Sequence, residues 1–430
     1  MIGSDIAWML ISTALVLLMT PALGFFYAGL VRSKNALNTL MMSVVSLGFV
    51  GLAWALAGYS LAFAEGTRFL GGLDYALLRG VGFDAKGTIP HLLFMAFQGT
   101  FAIITAALIS GAIVERMRFA TYIAFITAWS LIVYAPVAHW VWGGGWLGQM
   151  GALDFAGGTV VHITAGTAAC VAAIMLGPRK DYARQAFVPH SVPLTLLGAG
   201  VLWFGWFGFN GGSAVAANNQ AVLAFVNTMF APAATLAVWT LIDVARTGKA
   251  TAVGVATAIV VGLVAITPAA GFVSPLSAII LGGVAAIPSY LGVLWRARTR
   301  LDDSLDVVAA HGVGGTVGAL LTGVLAQKAW GSPADGLLFG NPAQLAVQAL
   351  AVVVAIAFTA VMTAGILFLA RALAPVRAAA NDEGVGLDVT QHGEEAYGRE
   401  EGAILILPGA RTSETVAHPA FEPTLKHAGR

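Results

Sequence analysis

The chain has 430 residues, of which 58% are hydrophobic and 10% charged, with a formal net charge of +1. Soluble domains carry about 25% charged residues, so a soluble enzyme or binding module is excluded and a polytopic membrane protein is expected. No basic stretch is present, which argues against nucleic acid. Cys170 is the only cysteine, which excludes disulfides within the chain and cysteine-rich metal sites, so no metal or other cofactor is expected.

Hydropathy over a spanning length of roughly 20 residues predicts an all-α membrane domain over residues 1–377, with about eleven helices. The first apolar stretch, 6–30, is too long for a signal-peptide core and follows no basic segment, so it is read as a helix that stays. The next spans are predicted over 39–63, 91–113, 119–138, 156–176, 193–214, 220–242, 251–268, 274–294, 305–325 and 343–371. Basic residues follow the odd-numbered helices: Arg32, Lys34, Arg116, Arg118, Arg179, Lys180, Arg184, Arg246, Lys249, Arg296, Arg298, Arg300, Arg371 and Arg377. The loops on the other side hold only Arg68, Arg79, Lys86 and Lys328. The positive-inside rule then predicts an outer N-terminus and a cytoplasmic C-terminus.

Within this frame, the third helix carries Phe97 and Phe101, four residues apart and on one face. Packing is the ordinary role of such a pair. The loop HWVWGGGW (139–146) places Trp140, Trp142 and Trp146 at the outer boundary, either as an interfacial belt or as part of a vestibule. The fifth helix opens with DFAGGT (154–159), where Asp154 is a helix cap or an ion site. The sixth carries Trp206, Phe209 and Ser213 on one face, in a segment whose aromatics give way to Asn210 and small residues. Aromatic faces beside a hydroxyl at the outer surface suit a cation.

Two histidines stand inside apolar helices in the same frame, H-x-x-x-G-T: His162 opens HITAGT (162–167) and His311 opens HGVGGT (311–316). Each has an aspartate eight residues upstream, Asp154 and Asp303. Ionisable groups at membrane depth are costly and mark substrate, ion or proton pathways. Matched frames in the fifth and tenth helices predict an inverted repeat of five plus five helices, with the eleventh extra and a site where the copies meet. A buried pair of structural histidines and a bis-histidine haem in an electron carrier are the alternatives. From Ala378 the chain turns polar, with nine acidic residues against four basic ones. Residues 378–430 are therefore expected to form a cytoplasmic tail, its end disordered.

These residues carry a resemblance. The chain resembles the ammonium transporter (Amt/Mep/Rh) family, in its bacterial Amt branch, almost from end to end. The matching segments are FFYAGLVRSKN (25–35), FQGTF (97–101), ERMRF (115–119), AHWVWGGG (138–145), GALDFAGGTVVHI (151–163), GWFGFNGGSA (205–214), LAFVNT (223–228), HGVGG (311–315) and GLDVTQHGEEAY (386–397). The resemblance implies a membrane transporter, not an enzyme. Its outer ammonium site would be Trp142, Ser213 and the face of Phe101, with a gate of Phe101 and Phe209. Twin pore histidines would be His162 and His311, and a structural aspartate Asp154. It further implies a homotrimer in the cell membrane, with one pore per subunit and a PII-type signalling protein docking at the tail. An ammonium sensor and a neutral channel for NH3 or CO2 are the other readings. The tail runs on past Tyr397 without a role that the resemblance supplies.

Overall fold

The computed structural model describes residues 1–398. Ten of its helices are long and apolar enough to cross a membrane. In chain order they are α1 (Gly3–Leu30), α2 (Ser33–Phe63), α3 (His91–Ile113), α4 (Phe119–Gln149), α5 (Gly158–Leu176), α6 (Val192–Gly212), α7 (Asn219–Thr247), then α9 (Pro275–Arg296), α10 (Val308–Leu325) and α11 (Pro342–Leu373). Between them lies α8 (Ala252–Ile266), of 15 residues. At 1.5 Å per residue α8 covers only about 22 Å, less than the predicted span over 251–268. Pro268 follows it, and the chain continues through hydrogen-bonded turns in which Ala269 and Ala270 are fully buried. Irregular backbone at this depth is tolerated because protein, not lipid, surrounds it.

The repeat is legible in the packing. Along α1 and α6, Gly198 stands against Phe26, Gly205 against Met19, Gly208 against Leu15 and Gly212 against Ser12. One helix number rises as the other falls, so the first helices of the two halves run antiparallel. A Cβ at any of these four glycines would strike the facing helix, and small residues are what let membrane helices approach so closely.

The same holds for α5 and α10. Gly166 lies against the backbone of His311 and Gly312, while Gly315 lies against the His162 side chain. The glycine of each H-x-x-x-G frame therefore makes room for the other copy's histidine. This is the physical content of the matched frames: each half supplies both the histidine and the gap that receives its counterpart.

Both histidines also sit in π-helical turns, Gly158–Ile163 and Val308–Val313, which open α5 and α10. Two further π turns interrupt α2 at Trp54–Gly58 and α4 at Ser130–Tyr134. Such turns rotate the helix face locally and recur at functional sites.

On one side of the molecule the loops after α1, α3, α5 and α9 converge on a buried ionic cluster. Arg179 bridges Glu115 (2.5 Å) and Asp302 (2.8 Å), Arg32 reaches Glu115 (2.9 Å), and Arg116 lies 3.9 Å from Asp302. Arg116 is completely buried and Arg179 nearly so.

Residues beyond α11 dock on the same side through two short helices, α12 (Ala380–Val385) and α13 (Leu387–His392). The Asp388 carboxylate accepts the backbone amides of Leu37 (3.0 Å) and Asn38 (2.7 Å), at the start of α2. Asn35 accepts the Leu387 amide (2.8 Å), and Glu383 is paired with Arg377. Through Tyr397, whose hydroxyl meets His190 at 2.9 Å, the acidic segment is packed on the helical domain rather than free of it. The extension after Tyr397, apart from Gly398, lies outside the described residues.

Candidate functional site

The site is built by α3, α4, α5, α6 and α10. Asp154 sets one end of it. Its Oδ1 accepts the amides of Gly157 (2.9 Å) and Gly158 (2.6 Å), and its Oδ2 those of Thr159 (2.9 Å) and Val160 (3.0 Å). These are the orphan donors that open a helix, so one carboxylate satisfies the entire start of α5. Of the two roles open for Asp154 in the sequence, its geometry is that of a cap. The two glycines of DFAGGT have separate reasons. Gly157 adopts φ +115°, and a Cβ on Gly158 would press into Pro268.

The indole Nε1 of Trp142 donates to the Asp154 carbonyl at 2.8 Å. This turns the Trp142 ring edge-on to Phe101, with centroids 6.1 Å apart. Phe101 in turn stacks on Phe209 at 4.2 Å and meets Phe97 at 4.9 Å. Phe101 and Phe209 are both 1% exposed. The three tryptophans of the 139–146 loop thus part company. Trp140 packs on Phe358 and Trp146 and donates to the Phe69 carbonyl, leaving only Trp142 at the phenylalanine pair.

Ser213 ends α6 and donates its hydroxyl proton to the Phe209 carbonyl at 2.8 Å. Its oxygen lone pairs then face away from its own helix, ready to accept. Asn210, the other polar group of this segment, donates its Nδ2 to the Thr228 hydroxyl (2.9 Å), while its Oδ1 has no partner among the described residues.

Beneath Phe209 come the histidines. The His162 ring lies 6.1 Å from Phe209, 5.4 Å from Trp206 and 5.3 Å from His311, all roughly parallel. The two Nδ1 atoms are 3.2 Å apart. A hydrogen bond between two Nδ1 atoms needs one proton there, so one ring is the Nδ1–H tautomer and the other accepts. In the neutral pair the accepting ring must carry its proton on Nε2, and the donating ring has a bare Nε2. Such a pair offers one donor and one acceptor, and the roles exchange only when the shared proton moves to the other Nδ1 and the Nε2 proton moves to the other ring's Nε2 as well. His162 Nε2 has no partner among the described residues.

The lining around the histidines is apolar apart from them: Met19, Leu23, Ile104, Leu108, Leu202 and Val260 contribute to a cavity of about 10 Å³. That is the lower limit for one water. Trp206, whose indole is held by Thr267 at 2.9 Å, forms a wall of this cavity. Its shared face with Phe209 was legible in the sequence; its stacking on His162 was not.

The second aspartate of the frame, Asp303, repeats the capping role incompletely. Its Oδ2 accepts the Val308 amide at 2.7 Å, while Oδ1 has no partner among the described residues. Burial, with the nearby Asp306 charge, pushes its carboxyl up to about 7. Glu115 in the ionic cluster behaves oppositely. Burial works against its charge, but the Arg179 and Arg32 guanidiniums outweigh it and hold the carboxyl down at about 2.

Comparison with known proteins agrees on one family. The Ammonium Transporter Family profile matches residues 7–397. The chain is 48% identical over 398 residues to an ammonium transporter of Bacillus subtilis, covering 91% of this chain and 98% of that one. It is 47% identical over 401 residues to the ammonium transporter Amt1 of Archaeoglobus fulgidus, covering 92% and 100%. Among solved structures, Saccharomyces cerevisiae Mep2 superposes with a TM-score of 0.81 at 36% identity, covering 88% of each chain. A structure described as a sensor Amt protein gives 0.85 at 30% identity, covering 91% and 98%.

Proposed function

The chain belongs to the ammonium transporter family, and from that premise we propose that it is a selective ammonium uptake protein of the cell membrane, serving nitrogen metabolism. In this reading its N-terminus is outside and its C-terminus cytoplasmic. Ammonium is recruited by the Trp142 and Phe101 faces and by the Ser213 hydroxyl. It passes the Phe101–Phe209 gate, gives up its proton, and crosses as NH3 past His162 and His311, with the proton moving separately. The observation that carries the reading is the 3.2 Å histidine pair beneath two stacked phenylalanines, in an otherwise apolar passage.

The selectivity argument is physical. Ammonium and potassium are similar in size, so a simple cation pore separates them poorly. A hydroxyl acceptor between aromatic faces favours the cation that donates hydrogen bonds. A narrow apolar passage then penalises any ion that must stay charged. Ammonium can shed a proton and potassium cannot. The histidine pair supplies a donor and an acceptor where NH3 would otherwise find neither.

The outer site has a direct test. Trp142→Leu removes an aromatic wall whose attraction for a cation is worth about 0.5–2 kcal/mol, so the half-saturating ammonium concentration should rise roughly two- to thirtyfold. Ser213→Ala removes one acceptor, worth about 0.5–1.5 kcal/mol, and should cost less. Ammonium currents that keep the same concentration dependence in both variants would place the site elsewhere.

The protein is further proposed to work as a homotrimer whose docked tail receives a trimeric PII-type protein that blocks conduction. Support comes from the tail's position: Asp388 and Leu387 fasten it to the start of α2, close to the ends of the pore helices. Truncation after Arg377 should abolish co-purification of PII with membranes and its inhibition of transport. A truncated protein still recruited and still inhibited would show that the tail is not the regulatory element. A sensory role is the second reading, favoured by the likeness to the sensor Amt protein. A transport-dead variant that still signals would support it.

A further inference from the structure

Helix α11 stands outside the five-plus-five repeat, yet it carries two buried glutamines one turn apart, Gln344 and Gln348. Gln348 is 1% exposed, and its carboxamide meets one residue of the loop that leads into α5. Its Oε1 accepts the Leu153 amide at 2.7 Å, and its Nε2 donates to the Leu153 carbonyl at 2.7 Å. Nε2 also donates to the Ala319 carbonyl of α10 at 3.1 Å. The carboxamide cannot turn over, because the Leu153 N–H needs an acceptor and both carbonyls need donors. Beside it, Gln344 donates to the Gly151 carbonyl at 2.9 Å. A Cβ at Gly323 of α10 would lie 2.9 Å from the Gln348 Cγ, so a glycine leaves room for this side chain.

Hydrogen bonds to both peptide groups of one residue fix its position and its rotation together. The next residue is Asp154, whose carbonyl receives the Trp142 indole and whose carboxylate caps α5. Gln348 therefore stands one residue from the carbonyl that turns Trp142 edge-on to Phe101. The second half of the repeat holds the matching residue differently. There Asp302, which precedes Asp303, is gripped by Arg116 at its carbonyl (2.5 Å) and by Arg179 at its carboxylate. The first half takes its grip from the helix that lies outside the repeat.

We propose that Gln348 is a positioning residue for the cation site: it holds Leu153 so that the Asp154 carbonyl aims the Trp142 ring. The inference rests on the reading that Trp142 recruits the cation, and the effect of Gln348 passes through that ring.

Ammonium currents over a concentration series, recorded on proteoliposomes of the wild type, Gln348→Met, Trp142→Leu and the double variant, test this. Methionine keeps the length and bulk of Gln348 and removes its hydrogen bonds to Leu153 and Ala319. In the wild-type background the half-saturating concentration should rise at least about threefold, and by more than the maximal current falls, because a misaimed ring loses part of its attraction for a cation. In the Trp142→Leu background the same substitution should shift it less than about twofold, since two changes that act through one contact do not add. Gln348→Asn, polar but a methylene too short to span Leu153, serves if Gln348→Met does not fold. An unmoved half-saturating concentration, a fall in maximal current alone, or equal shifts in the two backgrounds would overturn the positioning role. If Trp142→Leu by itself shifts nothing, the recruitment reading falls, and this inference with it.

Discussion

Replacing His162 or His311 with alanine should destroy the discrimination between ammonium and potassium. Each substitution breaks the Nδ1–Nδ1 hydrogen bond and leaves the surviving ring with an unpaired buried nitrogen, at a cost of about 1–3 kcal/mol. It also enlarges a cavity of about 10 Å³ by most of an imidazole ring. Water can then enter, and a hydrated passage no longer penalises an ion that keeps its charge. Potassium conductance relative to ammonium should rise at least about tenfold, the equivalent of roughly 1.4 kcal/mol. Ion-substitution currents on the two variants measure this directly. Unchanged ammonium flux together with unchanged selectivity in both would remove the histidines from the mechanism.

The second large effect is expected far from the pore. Glu115 holds Arg179 and Arg32 and accepts from Asn35 at 2.8 Å, although its own backbone sits at φ +67°, a conformation that non-glycine residues adopt only under constraint. Glu115→Ala takes one partner out of a buried ionic cluster, leaving Arg179 to Asp302 alone and Arg32 without its carboxylate, which costs up to about 3–5 kcal/mol. The thermal midpoint in detergent should fall sharply, and the tail should loosen because Asn35 also holds Leu387. The carboxyl lies at about 2 against an ordinary 4.5, so its folded value is depressed. Its stabilising contribution is then complete above about pH 4.5 and is lost as pH falls towards 2. Glu115→Gln should flatten stability across that acid window. A wild-type midpoint in Glu115→Ala, or an unaltered acid profile in Glu115→Gln, would contradict this assignment.

What the sequence disclosed and what it hid divide along physical lines. The helices were legible because a bilayer demands about 20 apolar residues per crossing, and ten of them recur close to their predicted places. Helix α8, of 15 residues, also lies within two residues of its predicted bounds, although hydropathy does not distinguish the buried turn after it from helix. The paired frames disclosed His162 and His311 because the fold's pseudo-symmetry needs a glycine one turn after each histidine. The π turns that hold both rings carry no periodic signature and could not be read.

Trp140 and Trp142 looked equivalent as members of one loop, yet a helix face separates residues two apart, and only Trp142 reaches Phe101. The buried ionic cluster was hidden for another reason: Arg179 and its partners Glu115 and Asp302 come from loops far apart in the chain. Asp388, likewise, reads as one more acid in a polar tail until the start of α2 is found beneath it.

The central claim, selective ammonium transport, is tested most directly by current and internal-pH recordings on proteoliposomes under an imposed ammonium gradient, with potassium as the comparison ion. The account predicts a saturable inward current with ammonium, an accompanying pH change inside, and no current with potassium. A potassium current comparable to that of ammonium, or no ammonium-dependent signal in either recording, would contradict it.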